Sequence, residues 1–234
     1  MPKNIIIIPT FNEVRNIELL IREIFALPVK DLGVIVVDDN SPDGTAFLVE
    51  KLKQEFKNLY LIKRNGKFGL GSAYVAGFKK ALFIGAEYIF EMDADFSHNP
   101  QDIPRLLELA GEADLVIGSR KIKGGSVVGW NFRRKLMSGG AILISRLILR
   151  LKPKDVTAGF RCFQRKVLEK IDLDKIKSNG YAFQEELLYK TQKMGFKIVE
   201  VPVVFVDRKF GKSKLGLKEI VEFFMVIFKL RFKL

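Results

Sequence analysis

Residues 88–95, Tyr88-Ile89-Phe90-Glu91-Met92-Asp93-Ala94-Asp95, carry the reading of the fold: an apolar run that breaks off at two carboxylates. A short, nearly continuous apolar run suits a parallel strand covered on both faces. Residues 5–8, 34–37, 59–62 and 115–118 repeat that pattern. Helical spacing fills the intervals. It is clear in residues 12–25 (Ile17, Leu20, Ile21, Ile24) and in a segment capped by Asp43 that runs through Phe47, Leu48 and Leu52. It continues in a glycine-opened stretch at 69–83 and again near 103–109. Strands alternating with helices predict an α/β fold with a parallel, doubly wound sheet.

In such sheets ligands bind beyond the carboxyl ends of the strands. The polar motifs stand there: Pro9-Thr10-Phe11-Asn12-Glu13, Asp38-Asp39-Asn40-Ser41, Asp93-Ala94-Asp95 and Gly118-Ser119-Arg120. Asp93 and Asp95 leave a strand one residue apart and supply hard oxygen ligands for Mg²⁺ or Mn²⁺, with substrate phosphates completing the shell. Asp38-Asp39 offers acceptors for hydroxyls or ring N–H groups, or else belongs to a turn and cap. Gly69-Leu70-Gly71-Ser72 matches no phosphate-loop fingerprint, and close packing of its helix explains it equally well. The lone His98 excludes a histidine metal cluster and reads as loop structure.

The 234 residues carry a formal net charge of +13, and 48% of them are apolar. One domain with a real core fits that length. The single Cys162 excludes an intrachain disulfide and fits a reducing compartment. No secretory signal and no spanning helix are expected. Nine Lys/Arg and no Asp/Glu lie in residues 120–152. Within that patch Arg133-Arg134, with Ser138 one turn later, suit a phosphate. Residues 136–151 and 217–234 are strongly apolar with basic stripes, the pattern of helices lying in a membrane interface. Packing on the sheet or on a partner subunit is the alternative. The basic patches are interleaved with aliphatic bulk rather than base-stacking aromatics, so no nucleic-acid partner is expected.

The stretches PTFNE, VVDDNSPDGT, GLGSAYVAGF, EMDADFSHNP, GGSVVGWNFRRKLMS, GFRCF, NGYAFQEE and VPVVFVDRKFGKSKLG run in order over nearly the whole chain. They resemble glycosyltransferase family 2 enzymes of the GT-A fold, and among them the dolichyl-phosphate (polyprenyl-phosphate) mannose synthases. That resemblance implies inverting transfer of mannose from GDP-mannose to dolichyl or polyprenyl phosphate, with Mg²⁺ or Mn²⁺. It implies that Pro9, Phe11, Glu13, Val37 and Asp39 hold the nucleoside. Asp93, Ala94 and Asp95 serve the metal and diphosphate, and Arg120, Arg134 and Ser138 the acceptor phosphate. Arg208 and Lys214 close over the phosphates and bind the donor. Asp95, Arg120, Arg134, Arg208 and Lys214 are the implied catalytic set. Phe11 stands where relatives often have Tyr, which keeps a stacking surface and removes a hydroxyl. One domain, 1–234, then divides into a nucleotide-sugar half (1–119), an acceptor half (120–215) and an amphipathic helix (216–234). The expected setting is peripheral, on the cytoplasmic face of a membrane, alone or with a small membrane partner subunit. UDP-glucose as donor, and a non-catalytic membrane-associated subunit, are the alternative readings.

Overall fold

The computed structural model describes residues 1–176, 178, 180–207 and 217–232. Its centre is a seven-stranded sheet. The first five strands are β1 (Asn4–Thr10), β2 (Leu32–Asp38), β3 (Leu59–Lys63), β4 (Tyr88–Glu91) and β5 (Leu115–Ser119). The helices between them are α1 (Ile17–Phe25), α2 (Thr45–Leu52), α3 (Leu70–Phe83) and α4 (Ile103–Ala110). There follow β6 (Ser126–Val128), α5 (Phe132–Leu149), β7 (Arg161–Gln164), α6 (Arg165–Lys170), α7 (Gly180–Lys193), β8 (Ile198–Pro202), β9 (Val204–Val206) and α8 (Leu217–Phe232).

The strand order is β3-β2-β1-β4-β7-β5-β8. All neighbours are parallel except β7, which runs antiparallel to both β4 and β5. The β1 run shows why the strands read as continuous apolar: Ile5 and Ile7 enter one core, Ile6 and Ile8 the other, and all four are fully buried. A strand's period of two serves both faces when helices cover both.

Local expectations shift in two places. The helix expected from residue 12 begins at Ile17, because Asn12 takes a left-handed conformation (φ 63) and Glu13 O accepts from both Asn16 N–H and Ile17 N–H. Asp43 does not cap α2 directly. Gly44 holds that position at φ 90, and Asp43 Oδ1 instead accepts from Thr45 N–H and Thr45 Oγ1–H. The glycines of α3 do serve packing: a Cβ on Gly77 would collide with Ile7, and one on Gly71 with Ser178 and Phe183.

Both apolar basic helices of the second half have two faces. α5 starts four residues before the expected boundary, with Asn131 Oδ1 accepting from Arg134 N–H. It buries Ile142, Ser145 and Leu149 and exposes Phe132, Leu136, Leu143 and Leu147. α8 buries Phe223 and Ile227 in the core and exposes Met225, Phe228 and Phe232. A buried polar contact joins α5 to α7: Ser145 Oγ lies 2.6 Å from Glu185 Oε1 and 2.9 Å from Ala141 O. Burial pushes the Glu185 carboxyl up to about 8. One serine proton cannot serve both oxygens. A protonated Glu185 donating to Ser145 Oγ, which then donates to Ala141 O, accounts for both short contacts. No helix among the described residues is long and apolar enough to cross a membrane.

Candidate active site

The carboxyl ends of β1, β2 and β4 meet along one sheet edge, and the loop after each carries a residue in the left-handed region: Asn12 (φ 63), Asn40 (φ 59) and Phe96 (φ 61). Such a conformation costs a non-glycine residue about 1 kcal/mol or more, and strain of this kind clusters at functional sites.

Side chains inside this edge fix the loops to one another. Asp38 is buried; its carboxylate accepts from Thr10 Oγ1 (2.8 Å), Ser41 Oγ (2.6 Å) and Ser41 N–H (2.9 Å). It is therefore a brace between β1 and the β2 loop, and the turn reading of this motif applies to it. Asp39 Oδ2 accepts from Phe68 N–H and Gly69 N–H, both at 3.0 Å, while Oδ1 pairs with Arg64 at 2.8 Å. Asp39 thus anchors the start of α3. Phe11 lies half-buried under Lys67, whose Nζ is 4.2 Å from the ring centre. Glu13 accepts from Asn16 Nδ2 at 2.8 Å. Pro9, Phe11 and Glu13 all retain some exposure. Val37 does not: its side chain is fully buried in the core, and its main chain lies between β1 and β3. Ala94 is likewise buried.

The loop after β4 carries the acidic pair. Asp93 and Asp95 are both partly exposed. Asp93 N–H donates to His98 Nδ1 at 3.1 Å, Asp93 Oδ1 lies 3.5 Å from Tyr74 Oη, and Asp95 Oδ1 accepts from Ser97 N–H at 3.1 Å. His98 stacks on Phe160 and meets Phe205 edge-on. Burial lowers its imidazole to about 4, so it stays neutral. Behind the loop lie Glu91, raised by burial to about 8, and the fully buried Arg161, which donates to the carbonyls of Val156, Ala158 and Gln184.

The facing wall is a small parallel sheet of β6 and β9, tied to the acidic loop by Val206 N–H donating to Ser97 O at 3.3 Å. Trp130 packs edge-on against Phe205 of this wall. Arg134 lies over Trp130, 4.2 Å from the ring centre, and its Nη1 is 2.9 Å from both carboxylate oxygens of Asp207. Ser138 is one turn further along α5 and half-buried. Arg120 is nearly buried: Nε and Nη2 bind Asp155 at 2.7 Å each, and Nη2 also donates to Thr157 Oγ1. That pair holds the Asp155 carboxyl below the usual carboxylate range despite burial. Arg208 and Lys214 lie outside the described residues.

The structure links Arg134 to the acidic loop through the β9 strand: Arg134 pairs with Asp207, and the neighbouring Val206 N–H donates to Ser97 O, two residues beyond Asp95. It commits the carboxylate of Asp39 and one edge of Arg120 to internal partners. The sequence reading missed Tyr74, Trp130 and Asp155, none of which carries a local signal. His98, read from sequence as loop structure, braces the acidic loop.

The description "Glycosyl transferase family 2" matches residues 5–172. The chain belongs to that family. It is 44% identical over 211 residues to the undecaprenyl-phosphate mannosyltransferase of Micrococcus luteus, covering 90% of this chain and 86% of the relative. It is 42% identical over 223 residues to the polyprenol monophosphomannose synthase of Mycolicibacterium smegmatis, covering 94% and 83%. Among solved structures, the mannosyltransferase PcManGT of Pyrobaculum calidifontis, in complex with GDP-Man and Mn²⁺, superposes with a TM-score of 0.62 at 19% identity, covering 97% of this chain and 64% of that one. The mostly parallel sheet flanked by helices is thus the GT-A-like fold of a glycosyl transferase.

Proposed function

We propose that the chain transfers mannose from GDP-mannose to the phosphate of a polyprenyl lipid, with inversion at the anomeric carbon. The observation that carries this reading is the tie between the two-carboxylate loop after β4 and the strand that ends at Asp207, the partner of Arg134 at the root of a helix whose outer surface is apolar. The names of the two relatives support the donor sugar and the lipid acceptor.

Asp93 and Asp95 fit a divalent cation as two hard, partly exposed oxygen donors. No cluster of three or more His, Cys, Asp or Glu occurs among the described residues, so phosphate oxygens of the donor would complete the shell. A bound Mg²⁺ or Mn²⁺ would neutralise charge on the nucleoside diphosphate leaving group. Tyr74 and His98 fix the position of Asp93. Pro9, Phe11, Glu13, Asp39 and the main chain at Val37 and Ala94 form the edge at which the nucleoside binds. Arg134 and Ser138 hold the acceptor phosphate, and Arg120, oriented by Asp155, adds positive charge on that side. Arg208 and Lys214 complete the donor site.

A phosphate monoester has its second pKa near 6, so the acceptor is largely dianionic at neutral pH and requires no general base. The neutral, buried His98 is suited to holding a loop rather than to taking a proton. Catalysis then rests on alignment and on screening two anionic substrates from each other. The exposed faces of α5 and α8 would rest on a membrane, bringing the cleft to the lipid phosphate.

The test is sugar transfer by the purified full chain. It would be supplied with labelled GDP-mannose or UDP-glucose, a polyprenyl phosphate and Mn²⁺ or Mg²⁺, with EDTA and Asp95→Asn as controls. Mannosyl lipid formed only with metal, and lost in the variant, is expected. Glucosyl lipid as the main product would replace the donor. Absence of either product, in detergent and in vesicles, would overturn the reading.

A further inference from the structure

Beside the acceptor end of the cleft lies a second cavity of about 270 Å³, lined by Lys121, Gly139, Ile142, Leu143, Arg146 and Lys154. Among the described residues, three cations and no acid form its walls. None of the three makes an ion pair among the described residues, and Arg146 Nε is buried without a hydrogen-bond partner there. Its construction is specific. Lys121 follows Arg120 and Lys154 precedes Asp155, so the Arg120–Asp155 pair clamps together the two loops that carry the lysines. Glu200 on β8 fixes the second loop by accepting from Lys154 N–H at 2.8 Å and Asp155 N–H at 3.0 Å. Arg146 comes from α5, and Leu143, on the cavity wall, is itself 56% exposed. Leu147, one turn beyond, is 69% exposed.

We infer that this cavity binds the phosphate headgroup of an anionic membrane phospholipid, distinct from the acceptor. A cationic cavity with an apolar helix face at its rim matches both parts of such a lipid: phosphate inside, acyl chains along Leu143 and Leu147. The inference deepens the membrane-docking part of the proposed function and rests on it. Because α5 is already packed on the core, bound lipid there would fix how the whole domain sits on the bilayer, and with it the height of Arg134 and Ser138 above the surface.

The experiment is flotation of the full chain with phosphatidylcholine vesicles containing no, or about a third, phosphatidylglycerol. The pocket pair Lys121→Gln/Lys154→Gln changes two exposed side chains. The control pair Lys30→Gln/Lys57→Gln removes the same charge at the opposite ends of the strands. The pocket pair should lose on the order of thirty-fold in affinity for the anionic vesicles, as two lysines at a charged surface contribute, and the control pair about threefold or less. Equal loss in both pairs would reduce the cavity to general surface charge and overturn the inference. Failure of the unaltered chain to bind either vesicle would instead overturn membrane docking itself. Mannosyl transfer to a short-chain polyprenyl phosphate in detergent should be unchanged in the pocket pair, whereas a raised acceptor KM would assign the cavity to the acceptor. Equally tight, pair-dependent binding of soluble glycerol phosphate would make it a free-phosphate site.

Discussion

The main-chain N–H of Asp93 points at His98 Nδ1, 3.1 Å away, so the imidazole carries its proton on Nε2 and holds the acidic loop from behind. With Phe160 stacked on it at 5.1 Å, the ring is a fixed strut rather than a titrating group.

His98→Ala should therefore leave both carboxylates in place but loosely aimed. Loss of a partner that orients a metal ligand costs about 10- to 100-fold in affinity or activity. Titration of Mn²⁺ with GDP against the variant should show that loss in metal affinity, with partial recovery in His98→Asn. Unchanged metal affinity would remove His98 from the site.

Arg134 shares its charge with Asp207 and its face with Trp130. Arg134→Ala should raise the acceptor KM and lower kcat/KM about a hundredfold or more, with donor KM little changed. Arg134→Lys should recover only part of this, because an ammonium keeps the charge without the planar stack. Steady-state kinetics varying each substrate separately decides the matter.

The Glu185 carboxyl is held near 8 in the folded chain, above the usual carboxylate range. Between the ordinary value and about 8 the folded state therefore binds the extra proton. Stability contributed by this group is present at low pH and is lost as pH rises through that window. Urea midpoints measured from pH 5 to pH 9 should fall, and Glu185→Gln should flatten the slope. An unchanged slope would mean that the carboxyl ionises normally.

Gly77→Ala should destabilise the fold by about 1–3 kcal/mol through overpacking against Ile7. Transfer activity per folded molecule should stay close to that of the unaltered chain, since α3 reaches the site only through its first turns. Denaturant unfolding measures the first effect and the sugar-transfer assay the second.

Leu136→Glu/Leu147→Glu on the exposed face of α5 should weaken vesicle binding by at least about tenfold, since each leucine forfeits apolar burial. Circular dichroism should be unchanged. Undiminished flotation would restore the view that this face meets another protein subunit.

Much of this architecture was legible in the sequence because its signals are local. Ile5 to Ile8 alternate between two covered faces, and the polar triplet after β4 stands where the apolar run stops. β7 was not legible: four residues that include Arg161 look like no strand. That arginine is tolerated only because the carbonyls of Val156, Ala158 and Gln184 converge on it from loops and a helix distant in sequence. Asp155 was invisible for the same reason, its partner Arg120 lying 35 residues away. The acidic and basic residues at strand ends could be listed from sequence. Which of them face outward and which brace the edge depended on long-range pairing: Asp38 ends β2 and Asp39 follows it, yet they brace different loops.

The antiparallel insertion of β7 has a consequence for how such a molecule can change. Gly118 N–H donates to Phe160 O at 2.8 Å, so the excursion through β6 and α5 leaves the sheet and returns to it at adjoining points. The excursion behaves as a cassette. Its contents, including Arg134, Ser138 and the cationic cavity, can be lengthened, recharged or exchanged while the strands carrying Asp39, Asp93 and Asp95 keep their register. Evolution, or an engineer, can therefore retune the residues we assign to acceptor and membrane without rewriting the strands we assign to the donor.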